Sequence, residues 1–176
     1  MKKLNNLNSI ILFLIALFIF GCTSVSERDK DAAAINDLEE ELKKETARPE
    51  KAELDNLLNL YTSFVDKYPE DTASATYLYR AVNLSMGMNQ PQMAMKLVDR
   101  TLNEYQKSPH LAETVFLKAY IYENFLGNLG TASGIYRDFI HRFPEHELAD
   151  DAQAAITNMG KSPEELVKEF ESRNQN

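Results

Sequence analysis

Four methionines stand within ten residues of this chain and could act together as soft metal ligands. Met86, Met88, Met93 and Met95 each carry a thioether, a ligand type that favours Cu(I). The alternative is that these side chains fill irregular space where two helices pass a turn, because residues 87–91 contain a glycine, an asparagine and a proline. The cluster therefore supports copper or small-ligand binding as one hypothesis, beside that of space-filling methionines.

Side chains that could carry catalysis are scattered along the sequence. His110, His141 and His146 have no cysteine or second histidine at i+3 or i+4, the spacing that would place two zinc ligands on one helical face. The carboxylates of 39–41 and 150–151 lie in strongly polar stretches that are typical of solvated helix faces. The sequence has no glycine-rich phosphate loop and no serine elbow. We therefore expect a protein that is not an enzyme and that has no cofactor.

The first 21 residues have the pattern of a secretory signal peptide. Lys2 and Lys3 precede an unbroken apolar run at 10–20, which is followed by Gly21 and by Cys22, the only cysteine of the chain. As a helix, this run would rise about 16 Å, roughly half the thickness of the bilayer core, so it is too short to span a membrane. Exported proteins normally use cysteines in disulfide pairs, and Cys22 has no partner. We expect cleavage before Cys22.

Residues 19–22, Ile-Phe-Gly-Cys, resemble the lipobox of bacterial lipoproteins, whose cysteine receives diacylglycerol on its sulfur. The resemblance implies a signal peptide at 1–21, a lipidated tether at 22–30 and attachment to a membrane through Cys22. Thr23 is not the aspartate that resembles an inner-membrane retention signal. The resemblance therefore favours the outer membrane, with the domain facing the periplasm, and leaves the inner membrane and the cell surface as alternatives.

The charge of the chain limits its partners. Loss of Lys2 and Lys3 with the signal peptide takes the formal net charge from −8 to −10. An acidic domain repels phosphate backbones and anionic lipid head groups. We therefore expect no nucleic-acid partner, and we expect lipid rather than charge to hold the protein at the membrane.

Beyond residue 30 the apolar residues recur at helical spacing, without alternating β-branched runs and with only six glycines in the whole chain. This pattern predicts an all-α domain over 31–176. The predicted helices are 31–45, 50–67, 72–88, 91–106, 110–126, 130–142, 146–158 and 163–173. The last start is the best marked, because Ser162, Pro163 and Glu165 supply a cap, a first-turn proline and a capping-box glutamate.

The chain matches itself at a spacing near 37 residues. A shift of 38 places Thr76, Arg80, Ala81 and Ala94 over Thr114, Lys118, Ala119 and Ala132, and a shift of 75 places Tyr61, Phe64, Pro69 and Glu70 over Tyr136, Phe139, Pro144 and Glu145. Such a period predicts repeated helix pairs.

Within one such pair, Ala132, Tyr136 and Phe139 share a helix face, and Pro144 ends the helix. Leu57, Tyr61, Phe64 and Pro69 repeat these intervals, and Ala119 and Tyr122 stand in the preceding helix of the later pair. The arrangement resembles the tetratricopeptide repeat. The resemblance implies a short α-solenoid of about three tetratricopeptide-like helical hairpins, with capping helices at the N and C termini. The middle pair departs from the pattern, with Val98 and Thr101 at the aromatic positions.

The repeat pattern leaves one polar stripe unburied. Thr76, Arg80 and Asn83 lie at i, i+4 and i+7 of one helix, and stacked hairpins place the first helix of each pair on the concave side. The candidate peptide-binding residues are Thr76, Tyr79, Arg80, Asn83, Thr114, Lys118 and Tyr122. Arg80 and Lys118 would suit a partner's carboxylate. The alternative is an ordinary solvated face with snorkelling cations.

The function expected from these features is that of a lipid-anchored, non-enzymatic adaptor that docks a segment of another envelope protein. The chain looks similar to the tetratricopeptide lipoproteins of envelope biogenesis, among them the lipoprotein of the outer-membrane β-barrel assembly machinery. Self-association stays open as a further expectation. A Cu(I)-binding or small-ligand-binding lipoprotein built on residues 86–95 is the alternative.

Overall fold

A computed structural model of the protein describes residues 25–44 and 47–173. The predicted signal peptide and Cys22 lie outside the described residues. The regular elements of the described part are α1 (Glu27–Lys44), α2 (Lys51–Lys67), α3 (Ser74–Gly87), α4 (Pro91–Glu104), α5 (Leu111–Asn124), α6 (Leu129–Arg142), α7 (Ala149–Asn158) and α8 (Pro163–Arg173). Because these ranges contain helices and no strand, the all-α prediction is confirmed.

Helix α1 begins four residues before the predicted start at residue 31. The Ser26 hydroxyl accepts a hydrogen bond from the Asp29 N–H at 3.1 Å and so caps the first turn. Arg28 then donates two hydrogen bonds to the Asp71 carboxylate, at 2.8 and 3.0 Å, which fixes this turn against the loop before α3. Residues 27–30 therefore belong to the helical array and not to the expected tether.

Packing runs between neighbouring helices along the chain from α1 through α7. The helices form three pairs, α1 with α2, α3 with α4 and α5 with α6. The second helix of each pair buries aromatic or aliphatic side chains at the predicted spacing, as Tyr61 and Phe64 do in α2 and Tyr136 and Phe139 do in α6. This consecutive packing is compatible with a helical repeat solenoid.

Two hairpins hold their helices together with a tyrosine–glutamate hydrogen bond. The Tyr61 hydroxyl of α2 donates to Glu39 of α1 at 2.5 Å, and the Tyr136 hydroxyl of α6 donates to Glu123 of α5 at 2.9 Å. Burial, together with the neighbouring carboxylate, raises the pKa of both tyrosines well above the ordinary value. The middle hairpin has the buried Val98 at this place and packs there by apolar contact.

The three turns that join one pair to the next share a hydrogen-bond pattern. Each turn begins with an aromatic residue that directly follows the helix: Tyr68, Tyr105 or Phe143. The carbonyl of this residue accepts a hydrogen bond of about 3 Å from the N–H three residues later, which belongs to Asp71, Ser108 or His146. The side chains of Asp71, Ser108 and His146 in turn accept a hydrogen bond from the N–H two residues further on, in Ala73, His110 and Leu148 respectively. The turns recur at intervals of 37 and 38 residues, in agreement with the period of the sequence.

The middle turn adopts this geometry without the proline of the other two. Pro69 and Pro144 follow their aromatic residues directly, whereas Gln106 follows Tyr105. The aromatic residue and the side-chain cap are common to all three turns, and they account for the shared geometry.

Helix α8 is the most loosely embedded of the described helices. The Ser162 hydroxyl accepts from the Glu165 N–H, and the Glu165 carboxylate accepts from the Ser162 N–H, so the predicted capping box is confirmed. Val167 and Phe170, however, are 57% and 67% exposed. The start of α8 is therefore fixed by local capping and not by burial.

The turn between α3 and α4 and the turn between α5 and α6 each contain a residue in the left-handed conformation. Asn89 has φ of 55° and Gly127, 38 residues later, has φ of 64°. Because only glycine takes this conformation without steric cost, we expect Asn89→Gly to raise the free energy of unfolding by about 0.5–1 kcal/mol in urea titrations.

The control for that prediction is Asn83→Gly, because Asn83 is exposed inside α3. Glycine is a poorer helix former than asparagine, so this change is expected to lower the free energy of unfolding by about 0.3–0.5 kcal/mol. If both variants lost stability, the left-handed turn at residue 89 would be contradicted.

Candidate partner-binding surface

Side chains link alternate helices of the array. We call α1, α3 and α5 the first-helix row, and α2, α4 and α6 the second-helix row. In the first-helix row, Arg80 of α3 donates to Glu39 of α1 at 2.7 Å, and Tyr79 of α3 stacks on His110 at the start of α5. In the second-helix row, Arg100 of α4 donates to Asp66 of α2 at 2.6 Å. The predicted binding stripe belongs to the first-helix row.

On α3, the predicted stripe reaches the surface. Arg80 and Asn83 are exposed, while Thr76 and Tyr79 are half-buried. The Asn83 amide donates to the Tyr79 carbonyl one turn earlier, at 2.9 Å. The stripe of α3 is therefore a polar and aromatic surface.

On α5, the predicted residues do not form the matching stripe. Thr114 is fully buried, and its hydroxyl donates to the His110 carbonyl at 2.6 Å, so it cannot contact a ligand. Lys118 is half-buried and extends to Asp99 of α4, at 2.8 Å, in the second-helix row. Tyr122 is half-buried and packs against the core formed by α5, α6 and α7.

A register difference of one residue explains this outcome. Helices α3 and α5 begin at Ser74 and Leu111, 37 residues apart, whereas the sequence match used a shift of 38. The extra residue lies in the turn between α5 and α6. In the structural register Thr76 corresponds to Glu113, and Asn83 corresponds to Tyr120, which is 37% exposed.

Both cations that were expected to attract a carboxylate already hold one from this chain. Arg80 pairs with Glu39, whose side chain is only 14% exposed, and the guanidinium lies 5.8 Å from the centre of the Tyr77 ring. Lys118 pairs with Asp99. The positive charge of this surface is therefore largely neutralised within the domain.

The structure brings together two histidines that the sequence analysis treated as separate. His110 Nδ1 lies 3.8 Å from Glu113 Oε1, and His146 Nε2 lies 4.0 Å from Glu113 Oε2. Glu113 Oε2 is buried and has no hydrogen-bond partner within the described part of the chain. His110 and His146 come from successive turns, 36 residues apart, which is why local spacing could not reveal the cluster.

The aromatic part of the same cluster is a stacked pair. The rings of Tyr79 and His110 have centroids 4.4 Å apart and are tilted by only 6°. The Thr76 hydroxyl lies 3.4 Å from His110 Nε2. Two of the predicted site residues, Thr76 and Tyr79, therefore contact His110 at the junction of α3 and α5, and His110 lies beside Glu113.

The four methionines lie in different surroundings. Met86 and Met95 pack against the core, Met88 lines a cavity of about 320 Å³, and Met93 is exposed. Space filling accounts directly for the two that contact the core. Across residues 25–44 and 47–173, no group of three or more histidine, cysteine, aspartate or glutamate side chains is placed to hold a metal ion.

Among the helices of residues 25–44 and 47–173, none is long and apolar enough to cross a membrane. Comparison with protein-family models and with curated proteins gives no significant match to this chain.

Proposed function

We propose that this protein is a non-enzymatic adaptor of the cell envelope, held to a membrane by lipid on Cys22, that binds a segment of another protein. One observation carries the proposal: the first helices lie side by side and present exposed polar and aromatic residues, Asn83 and Tyr120 among them. A continuous surface of this kind suits an extended or helical segment of a partner.

The internal pattern supports a tetratricopeptide-like character for the array. Tyr61, Phe64, Tyr136 and Phe139 are buried at equivalent places of α2 and α6, as the resemblance implies. In stacked hairpins of this type the first helices line the concave, ligand-binding side. The proposal therefore places the partner on the first-helix row.

The start of α1 supports a short distance between the array and the membrane. Glu27 follows Cys22 by five residues, which reach at most about 18 Å when fully extended. A lipid on Cys22 would thus keep the domain against the bilayer. The proposed location is the outer membrane, with the domain facing the periplasm.

Photocrosslinking in cells tests this function. A p-benzoylphenylalanine is placed at Asn83 or Tyr120 on the first-helix row, and at the matched exposed positions Lys96 or Arg137 on the second-helix row. These first-row sites are preferred to Arg80 and Lys118, whose replacement would break ion pairs inside the domain. We expect a common crosslinked protein from Asn83 and Tyr120 that is absent from the two control positions.

A further inference from the structure

We propose that the junction of α3 and α5 receives an arginine side chain of the partner, with its guanidinium on the Glu113 carboxylate and against the stacked rings of Tyr79 and His110. This inference rests on the proposed adaptor function and names the chemistry of the segment that the surface binds. It reverses the expectation, drawn from Arg80 and Lys118, that the partner contributes a carboxylate.

The first support is a carboxylate without a donor. Glu113 Oε2 accepts no hydrogen bond within the described residues, and its nearest ionisable neighbours are two imidazoles at 3.8 and 4.0 Å from its oxygens. Oε2 itself is buried, but the Glu113 side chain as a whole is 25% exposed. A ligand therefore meets the exposed part of this side chain, and rotation about its last, soft torsion brings Oε2 to the donor. A carboxylate oxygen that lacks a donor gains more from a cationic partner than a solvated one does.

The second support is the balance of charge around the site. The nearby cation Arg80 is held by Glu39, and Lys118 is held by Asp99. The chain as a whole has a formal net charge of −8. A cationic segment is therefore attracted to the domain. Within the described residues, Glu113 has contacts with two histidines and no ion pair with a lysine or arginine.

The third support comes from two arginines of the chain itself. Arg28 donates two hydrogen bonds to Asp71 and lies 5.4 Å from the centre of the Phe64 ring. Arg80 pairs with Glu39 and lies 5.8 Å from the centre of the Tyr77 ring. Each guanidinium thus combines a carboxylate with an aromatic ring.

The junction of α3 and α5 offers the same two groups without an arginine: the Glu113 carboxylate and the aromatic pair Tyr79 and His110. Arginine fits such a site better than lysine does, because its planar fork can stack on a ring and bind a carboxylate at once.

The test uses the full-length protein in detergent and a minimal probe, N-acetyl-arginine amide, with the neutral isostere N-acetyl-citrulline amide as the control ligand. Binding is followed by the NMR signals of Tyr79 and His110. We expect saturable shifts with the arginine amide and none with the citrulline amide. Because the contact is a charged one, we also expect the apparent affinity to fall as salt is added.

The decisive variant is Glu113→Gln, and its matched control is Glu41→Gln, which removes the same charge from an exposed position of α1. We expect the dissociation constant to rise about tenfold or more for Glu113→Gln and to stay within about twofold for Glu41→Gln. The free spectra of both variants report whether they are folded. An equal response to citrulline, or equal constants for the two variants, would overturn the inference.

The outcomes separate this inference from the proposed function. If crosslinking from Asn83 and Tyr120 succeeds while Glu113→Gln leaves probe binding unchanged, the surface binds its partner by other chemistry and the inference is wrong. If the arginine amide binds through Glu113 while crosslinking finds no partner on the first-helix row, the site chemistry stands and the adaptor function fails.

Discussion

Replacement of Phe139 by alanine is expected to lower the free energy of unfolding by about 3–5 kcal/mol, because a large buried ring is lost and a cavity is left behind. Phe139 of α6 is fully buried. Its ring lies 5.7 Å from that of Phe116 in α5, 5.4 Å from that of Phe143 and 5.6 Å from that of His146, measured between centroids. One side chain thus joins a hairpin to the turn that leads into α7. Urea unfolding followed by circular dichroism measures the loss.

The matched control is Phe170→Ala, which removes the same ring from α8. Phe170 is 67% exposed, so the expected change is within about 0.5 kcal/mol. Equal losses from the two variants, or a loss at Phe139 below about 1.5 kcal/mol, would contradict the packing described for α6.

Replacement of Glu39 by alanine is expected to lower the free energy of unfolding by about 1–3 kcal/mol, because it leaves the buried Tyr61 hydroxyl without an acceptor. Glu39 accepts from Tyr61 of α2 at 2.5 Å and from Arg80 of α3 at 2.7 Å. The Arg80 contact adds little to this figure because that side chain is 43% exposed. Since α1 buries few apolar side chains, Ala32 and Ile35, it should open before α2–α6 in hydrogen-exchange measurements.

Glu40→Ala is the control for Glu39→Ala. Glu40 is the adjacent residue, is exposed, and pairs only with Lys43 one turn later within the described part of the chain. Such surface pairs contribute little, so the expected loss is within about 0.5 kcal/mol. Similar hydrogen exchange of residues 27–44 in both variants would show that Glu39 does not hold α1 in place.

The parts of the fold that local patterns control were predictable from the sequence. Helix α8 begins at Pro163, and Ser162 and Glu165 form the capping box that the sequence predicts. The aromatic positions of α2 and α6 are buried as their spacing predicts. The start of α1 differs from the prediction because its first turn is polar and lacks an apolar stripe. The Ser26 cap is a local signal for this start, whereas the Arg28–Asp71 contact joins residues 43 apart, which no local pattern reveals.

The candidate surface was only partly predictable, because the sequence match between α3 and α5 is displaced by one residue from their structural alignment. Sequence identity at Thr76 and Thr114 favoured a shift of 38, yet α3 and α5 are offset by 37. In a helix, one residue turns a side chain by about 100°, enough to move Thr114 from the surface to the core. The cluster of His110, Glu113 and His146 depends on two separate turns meeting, which only the packed array shows.

Photocrosslinking in cells shows whether the first-helix row binds a protein segment. With p-benzoylphenylalanine at Asn83 or Tyr120, we expect crosslinks to one shared partner protein. We expect this product to be missing when the probe is at Lys96 or Arg137. The same product from all four positions, or a partner captured only from Lys96 and Arg137, would contradict binding by the first-helix row.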